Sequence, residues 1–302
     1  MKLLRTLFGA LLLMVLAGCG ESDMRPDYIV KKPRVMAIKI TDPEIRRGDP
    51  FSLDLLVLGE DISQEMITEV KWRVGLEFDE SDGAVGLLGT TPYSETLHMA
   101  SGFWDTIPSE ILDTLLQGQS YLDVPVMAEL TVGGVTLRGA KTLRITETPL
   151  GKNPVIQSIA LQYDQGEETI TASGQRKITF KRSAHVPETI ACTAIMETLA
   201  PGENDKLLFR WSVSTSKTNE SELYVSSSQS DIEALLGEGE KAAEYRQSVL
   251  FSTRGEEGDG PIQYGEYEVA LVVRDKKTDS SGRQEDRFGT DFMTFTIAIL
   301  DQ

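Results

Sequence analysis

From Arg34 onward, apolar residues recur at every second position. Met36, Ile38 and Ile40 alternate with Ala37 and Lys39, and Phe51, Leu53, Leu55 and Val57 follow after a segment holding Pro43, Gly48 and Pro50. Val70, Trp72, Val74 and Leu76 then alternate with Lys71, Arg73 and Gly75. A period of two sends successive side chains to opposite faces of a strand, so each set predicts a strand with one face on a core. Further on, Val124, Val126, Ala128, Leu130 and Val132 lead into Gly133-Gly134, and Val135, Leu137, Leu143 and Ile145 continue beyond it. Paired glycines between alternating runs predict a tight hairpin, because turns that match strand twist need positive φ.

Helical spacing is scarce. Between Pro108 and Gln117, residues Ile111, Leu112, Leu115 and Leu116 stand three and four apart with Gly118 as a stop, which predicts a short helix over the end of a sheet. The second half then repeats the order of the first. Val155, Ile159 and Leu161 open it, Ile190 to Met196 correspond to Phe51 to Val57, and Leu207, Phe209, Trp211 and Val213 correspond to the strand bearing Trp72. Ser230-Asp231-Ile232-Glu233 has the capping-box pattern ahead of Ala234-Leu235-Leu236-Gly237, which predicts a second short helix mirroring Ile111 to Gly118. Tyr267, Val269, Leu271 and Val273, then Met293, Phe295, Ile297 and Ile299, supply a final strand pair. Corresponding elements lie about 120 to 140 residues apart, so the chain reads as two copies of one domain type. Between Ser212 and Asp231 serine, threonine and charge dominate, which reads as a loop.

Ahead of the strands, Lys2 and Arg5 precede an apolar stretch from Leu7 to Leu16, too short to span a bilayer stably. It ends in Leu16-Ala17-Gly18-Cys19, which resembles the lipobox of bacterial lipoproteins at all four positions. The resemblance implies cleavage before Cys19, lipidation of its thiol and acylation of the new amino group. Several acyl chains hold a protein stably where one does so marginally. Gly20 and Glu21 follow the cysteine, and the absence of aspartate there resembles an outer-membrane sorting signal.

The expected organisation is therefore a signal peptide over residues 1–18, a lipidated tether over 19–33 and a first β-sandwich over 34–148. A proline-framed linker over 149–154 and a second sandwich over 155–302 complete it. So short a linker should limit how far the domains swing.

The whole chain has a net charge of −17, and removing residues 1–18 deletes only Lys2 and Arg5 among the charges, leaving 28 basic against 47 acidic residues. A surface this acidic repels nucleic acid and anionic headgroups, so no nucleic-acid partner is expected and membrane contact falls to the lipid on Cys19. With Cys19 committed, Cys192 has no intramolecular partner. The pattern Ile190, Cys192, Ala194, Met196 puts it on the apolar face of a strand as a small buried hydrophobe.

About seven short strands per unit with a tryptophan on an early central strand resemble an immunoglobulin-like β-sandwich. The fold class expected is all-β, two tandem immunoglobulin-like sandwiches, each with a short helix before its last strand pair. Cys192, one strand before Trp211, stands where such folds often carry a cysteine, although no partner exists on the penultimate strand. The stretch from Tyr264 to Asp275, a glycine-aromatic pair before alternating valines and an aspartate, resembles the penultimate strand of polycystic-kidney-disease-type domains. The glycine-aspartate-glycine signature of that family is absent after Trp211, where Ser212-Val213-Ser214 follows. Domains of this kind serve mostly as spacers and binding platforms.

Catalytic chemistry finds little support in the residues. His98 and His185 are the only histidines, without a cysteine or glutamate at zinc-type spacing, and no nucleophile elbow or phosphate-cradling loop occurs. Asp79 and Asp82, and Glu256 and Asp259, sit in acidic, glycine-containing turns and are weak candidates for calcium, which takes loop carboxylates. Gly102-Phe103-Trp104 reads as a cap on the core, with a partner-binding patch as the alternative. No cofactor is expected. The reading is a non-enzymatic, lipid-anchored envelope protein that binds or spaces, with an unidentified envelope protein or polysaccharide as partner. Its alternative is a carbohydrate-active hydrolase whose carboxylates meet only in the fold.

Overall fold

A computed structural model describes residues 30–302 apart from 61, 63–65, 68, 76–84, 92–95, 100–112, 114–119, 150–151, 173–175, 182–186, 188, 198–204, 216–223, 226–230, 236–245, 253–264, 279–283 and 301–302. The alternating runs of the first half become strands β1 (Arg34–Ile40), β2 (Glu44–Ile45), β3 (Phe51–Leu58), β4 (Val70–Gly75), β5 (Val85–Thr91), β6 (Leu97–Met99), β7 (Tyr121–Val132) and β8 (Val135–Thr146). They form two sheets, ordered β1-β3-β6 and β2-β8-β7-β4-β5. Between the sheets Ile38, Ile40, Leu53, Val70, Trp72, Val126 and Leu143 pack as one core. Trp72 is held there at both ends, its ring buried and its Nε1–H donating to Thr91 Oγ1 at 3.1 Å. The β7–β8 hairpin turns through Gly133 (φ 55°) and Gly134 (φ 82°), the positive φ values that glycine adopts without steric cost.

The second half supplies β9 (Ile156–Tyr163), β10 (Gly166–Thr171), β11 (Lys177–Lys181), β12 (Thr189–Met196), β13 (Asp205–Thr215), β14 (Tyr224–Val225), β15 (Asp231–Leu235), β16 (Arg246–Ser252), β17 (Gly265–Thr278) and β18 (Gln284–Leu300). Its sheets are ordered β10-β9-β12-β16-β14 and β11-β18-β17-β13-β15. Both halves therefore share one topology. In each, the opening strand lies in one sheet, the chain crosses over, and a short strand pairs parallel with the last: β2 on β8, and β11 on β18. That crossover is how an immunoglobulin-like sandwich covers the edge of its last strand. The protein is all-β, with sheets packed as sandwiches. The second core contains Ile159, Leu161, Cys192, Phe209, Trp211, Leu271, Phe295 and Ile297.

Several expectations change. Asp231–Leu235 is strand β15, paired with β13 from Lys206↔Leu235 to Arg210↔Asp231, where the capping-box pattern predicted a helix. By topology it answers β5, the strand after the one bearing Trp72, rather than Ile111 to Gly118, a segment that apart from Asp113 lies outside the described residues. The serine-rich stretch does not begin as a loop: Ser212 to Thr215 continue β13, with Ser212 and Ser214 buried, and Tyr224–Val225 is strand β14. Met36 does not share a face with Ile38 and Ile40. A register shift between Val35 and Ala37 turns it away from the first core, into contact with the other half of the molecule.

Candidate functional site

Strands β3 and β17 depart from simple alternation. β3 ends in Leu55-Leu56-Val57-Leu58 and β17 holds Val269-Ala270-Leu271-Val272-Val273, two continuous apolar runs. A strand with apolar residues on both faces must be covered on both. Leu55 and Val57 face the first core, and Val269, Leu271 and Val273 face the second. The intervening residues face each other: Met36, Ala37, Leu56 and Leu58 from the first sandwich pack with Val30 against Ala270, Val272 and Phe292 of the second. A third apolar cluster thus joins the outer faces of the β1-β3-β6 and β11-β18-β17-β13-β15 sheets.

Polar bonds bracket this seam. Asn153, buried in the expected linker, donates through Nδ2 to the carbonyls of Ile40 (2.6 Å) and Thr41 (2.7 Å), while its Oδ1 accepts from the Thr290 N–H at 2.9 Å. One amide side chain therefore ties the end of β1 to β18. Asp291 lies beside it, 6 % exposed, with Oδ1 accepting from Lys39 Nζ at 2.6 Å and Oδ2 from the Ile156 N–H at 2.8 Å. Lys141 Nζ donates to Thr290 Oγ1 at 2.6 Å, and Arg274 Nη2 to the Met36 carbonyl at 3.1 Å. The Val30 N–H donates to the Val213 carbonyl on β13 at 2.8 Å, and Lys31 accepts from the Glu60 N–H. Residues 30 and 31, assigned in sequence to the tether, are thus fastened to the folded body.

Gly289 shows how closely the seam is fitted. A Cβ there would lie 2.7 Å from Asp275 Oδ1 and 2.8 Å from the Lys152 carbonyl oxygen, too near for either to accommodate. Gly289→Ala is therefore expected to destabilise the chain by about 1–3 kcal/mol, as overpacking does, and a chemical-denaturation midpoint will register it. Further along β17, away from Gly289, Glu268 stands opposite Ser214 and Thr296, and burial raises its carboxyl above the ordinary glutamate range. A raised native pKa means that the folded state holds this proton more tightly than the unfolded one. Its contribution is complete at acid pH and is lost as pH climbs from the ordinary glutamate value through the raised one. Glu268→Gln is expected to raise stability at neutral pH, and the gain should vanish when the denaturation is repeated below the ordinary glutamate range.

Cys19, Asp79, Asp82, Glu256, Asp259, His185 and the Gly102-Phe103-Trp104 segment all lie outside the described residues. His98 is exposed on β6 opposite Ser52. Cys192 is buried as the pattern predicted, and burial pushes its thiol far up, so it stays protonated and unreactive. Among the described residues no group of three or more His, Cys, Asp or Glu side chains is placed to hold a metal ion, and no helix is long and apolar enough to cross a membrane. Sequence reasoning missed Asn153, Asp291, Lys39 and Arg274. The two-faced runs at 55–58 and 269–273 were the available signal.

No protein-family model matches the chain, and no curated protein matches it. Similar solved structures are β-domain proteins. The major subunit AggA of the Escherichia coli aggregative adherence fimbriae type I is 12 % identical, with 51 % of this chain and 98 % of that one covered and a TM-score of 0.30. The Yersinia pseudotuberculosis adhesin InvE is 14 % identical over 86 % of this chain and 58 % of its own, with a TM-score of 0.19. The chicken CNTN1 FN1–FN3 domains are 10 % identical over 90 % and 67 %, with a TM-score of 0.18. The fold assignment rests on the strand order and the two cores described above.

Proposed function

We propose that the chain is a lipid-anchored protein of the bacterial cell envelope, at the outer membrane, acting as a non-enzymatic binding or spacer module. The observation that carries the module reading is the seam. Eight apolar residues and the bonds of Asn153, Asp291 and Arg274 hold the two sandwiches as one body. A body fixed in this way keeps a binding surface at a set position and orientation, whereas an enzyme needs converging reactive groups. The lipobox residues Leu16 to Cys19 support the anchor. Val30 is fastened to β13, so ten residues separate Cys19 from the described body, a span of at most about 33–36 Å. The partner on this reading is an envelope protein or polysaccharide.

Metabolic labelling with a fatty-acid probe, followed by envelope fractionation, tests the anchor. Wild-type chain should carry the label and sediment with membranes, and Cys19→Ser should do neither. An unlabelled wild type, or a Cys19→Ser chain that fractionates unchanged, contradicts it.

A further inference from the structure

We propose that residues 30–33 are a strap that locks the second sandwich onto the first. Within this segment the main chain passes from a bond with one sandwich to bonds with the other. The Val30 N–H takes the Val213 carbonyl on β13 at 2.8 Å, beyond Arg210, where the pairing of β13 with β15 stops. The Val30 side chain is buried in the third cluster, which holds Ala270 and Val272 of the same sheet. The Lys31 carbonyl then accepts from the Glu60 N–H at 3.0 Å. Pro33 lies against Gly59 so closely that a Cβ on that glycine would stand 2.7 Å from Pro33 Cα and 2.8 Å from Pro33 N. Arg34 opens β1 opposite Leu58.

The position of the strap gives it leverage. The linker joins the sandwiches elsewhere, where Asn153 grips the carbonyls of Ile40 and Thr41 at the far end of β1. The strap meets β1 at Arg34, roughly 20 Å away at strand spacing. Two bodies tied at one point pivot about it, whereas ties this far apart stop the rotation. Between them lie the apolar cluster and the long side chains of Lys39 on Asp291, Lys141 on Thr290 and Arg274 on the Met36 carbonyl. Long side chains change rotamer and follow a small rotation. A short stretch of main chain bonded at both ends cannot.

The lock is also one that opens. Val30 holds the second sandwich through one N–H and one buried side chain, whereas β1 is held in the first by the paired register from Arg34↔Leu58 to Ile40↔Leu53. A lightly bonded segment opens locally before the body unfolds. Residues 19–29 lead into Val30, so on the anchor reading the strap also fixes how the second sandwich stands to the tether. The lock itself rests on the reading of the two sandwiches as one body, not on the lipid.

Hydrogen exchange on the full chain, with a spin-label distance from Thr136→Cys to Gln165→Cys in a Cys19→Ser background, tests the proposal. Val30→Pro removes the N–H that reaches Val213. Gly59→Ala pushes on Pro33 from the first sandwich and leaves Val30 and β13 unaltered. Each should speed exchange of the Thr290 N–H, which Asn153 holds at the linker, by about tenfold or more. Each should also broaden the distance distribution, while amides of the β13–β17 ladder keep their protection. If Val30→Pro fails to fold, Gly59→Ala carries the test. A narrow distribution and unchanged Thr290 exchange in both variants would overturn the strap and leave the one-body reading standing. A broad distribution in the chain without either variant would overturn both. Loss of protection along the β13–β17 ladder would show unfolding of the second sandwich in place of its release, and would also overturn the strap.

Discussion

Trp211→Ala is expected to lower the unfolding free energy by about 3–5 kcal/mol, the range for deleting a large aromatic from a packed core. Trp211 is fully buried on β13, opposite Leu271 in the strand register, and its ring fills the second sandwich. Against the roughly 5–15 kcal/mol by which a domain is held folded, that loss is a large share of the margin. Tryptophan fluorescence and circular dichroism against denaturant measure it. Trp211→Phe should recover a large share, since it restores most of the ring volume without a polar atom to satisfy. A loss below about 1 kcal/mol would mean that the core is not built around this side chain.

Asp291→Ala should carry the second large effect, about 2–4 kcal/mol, although the residue belongs to neither main core. Its removal leaves the Ile156 N–H buried without its acceptor and the Lys39 ammonium without its partner. Lys39 is 32 % exposed in its side chain and can turn to water, so most of the cost falls on the Ile156 amide. Asp291→Asn keeps an acceptor for that amide and should be the milder change. Lys39→Ala should be milder still. If all three cost the same, the seam is held by charge rather than by the buried bond.

The strands themselves were legible because alternation is local. Phe51 to Val57, Trp72, and the run from Val124 through Gly133-Gly134 each carry their own evidence, and the matching order of the two halves follows from them. Cys192 was legible for the same reason: its neighbours at two-residue spacing mark the inward face. The seam was not. Asn153 meets Ile40 and Thr41 across more than a hundred residues, and Asp291 meets Lys39 across the whole length between the sandwiches. Nothing in a local pattern links such positions. The runs Leu55 to Leu58 and Val269 to Val273 announce a second covered face without saying what covers it. Asp231 to Leu235 failed differently. A short apolar run after a serine suits a helix start as well as an edge strand, and pairing with β13 decided between them. The register shift at Met36 is likewise a tertiary effect, in which one extra residue sends a side chain to the other face.

The account turns on the two sandwiches being one body, and a distance measured between them tests that most directly. Spin labels at Thr136→Cys, beside the β7–β8 hairpin, and Gln165→Cys, in the β9–β10 turn, place one probe on each sandwich at an exposed position. In a Cys19→Ser background the remaining cysteine, Cys192, is buried and will not take label. Pulsed electron resonance should return a single narrow distance distribution. A broad or multiple distribution in the folded chain would show that the sandwiches swing about the linker, and would contradict the account.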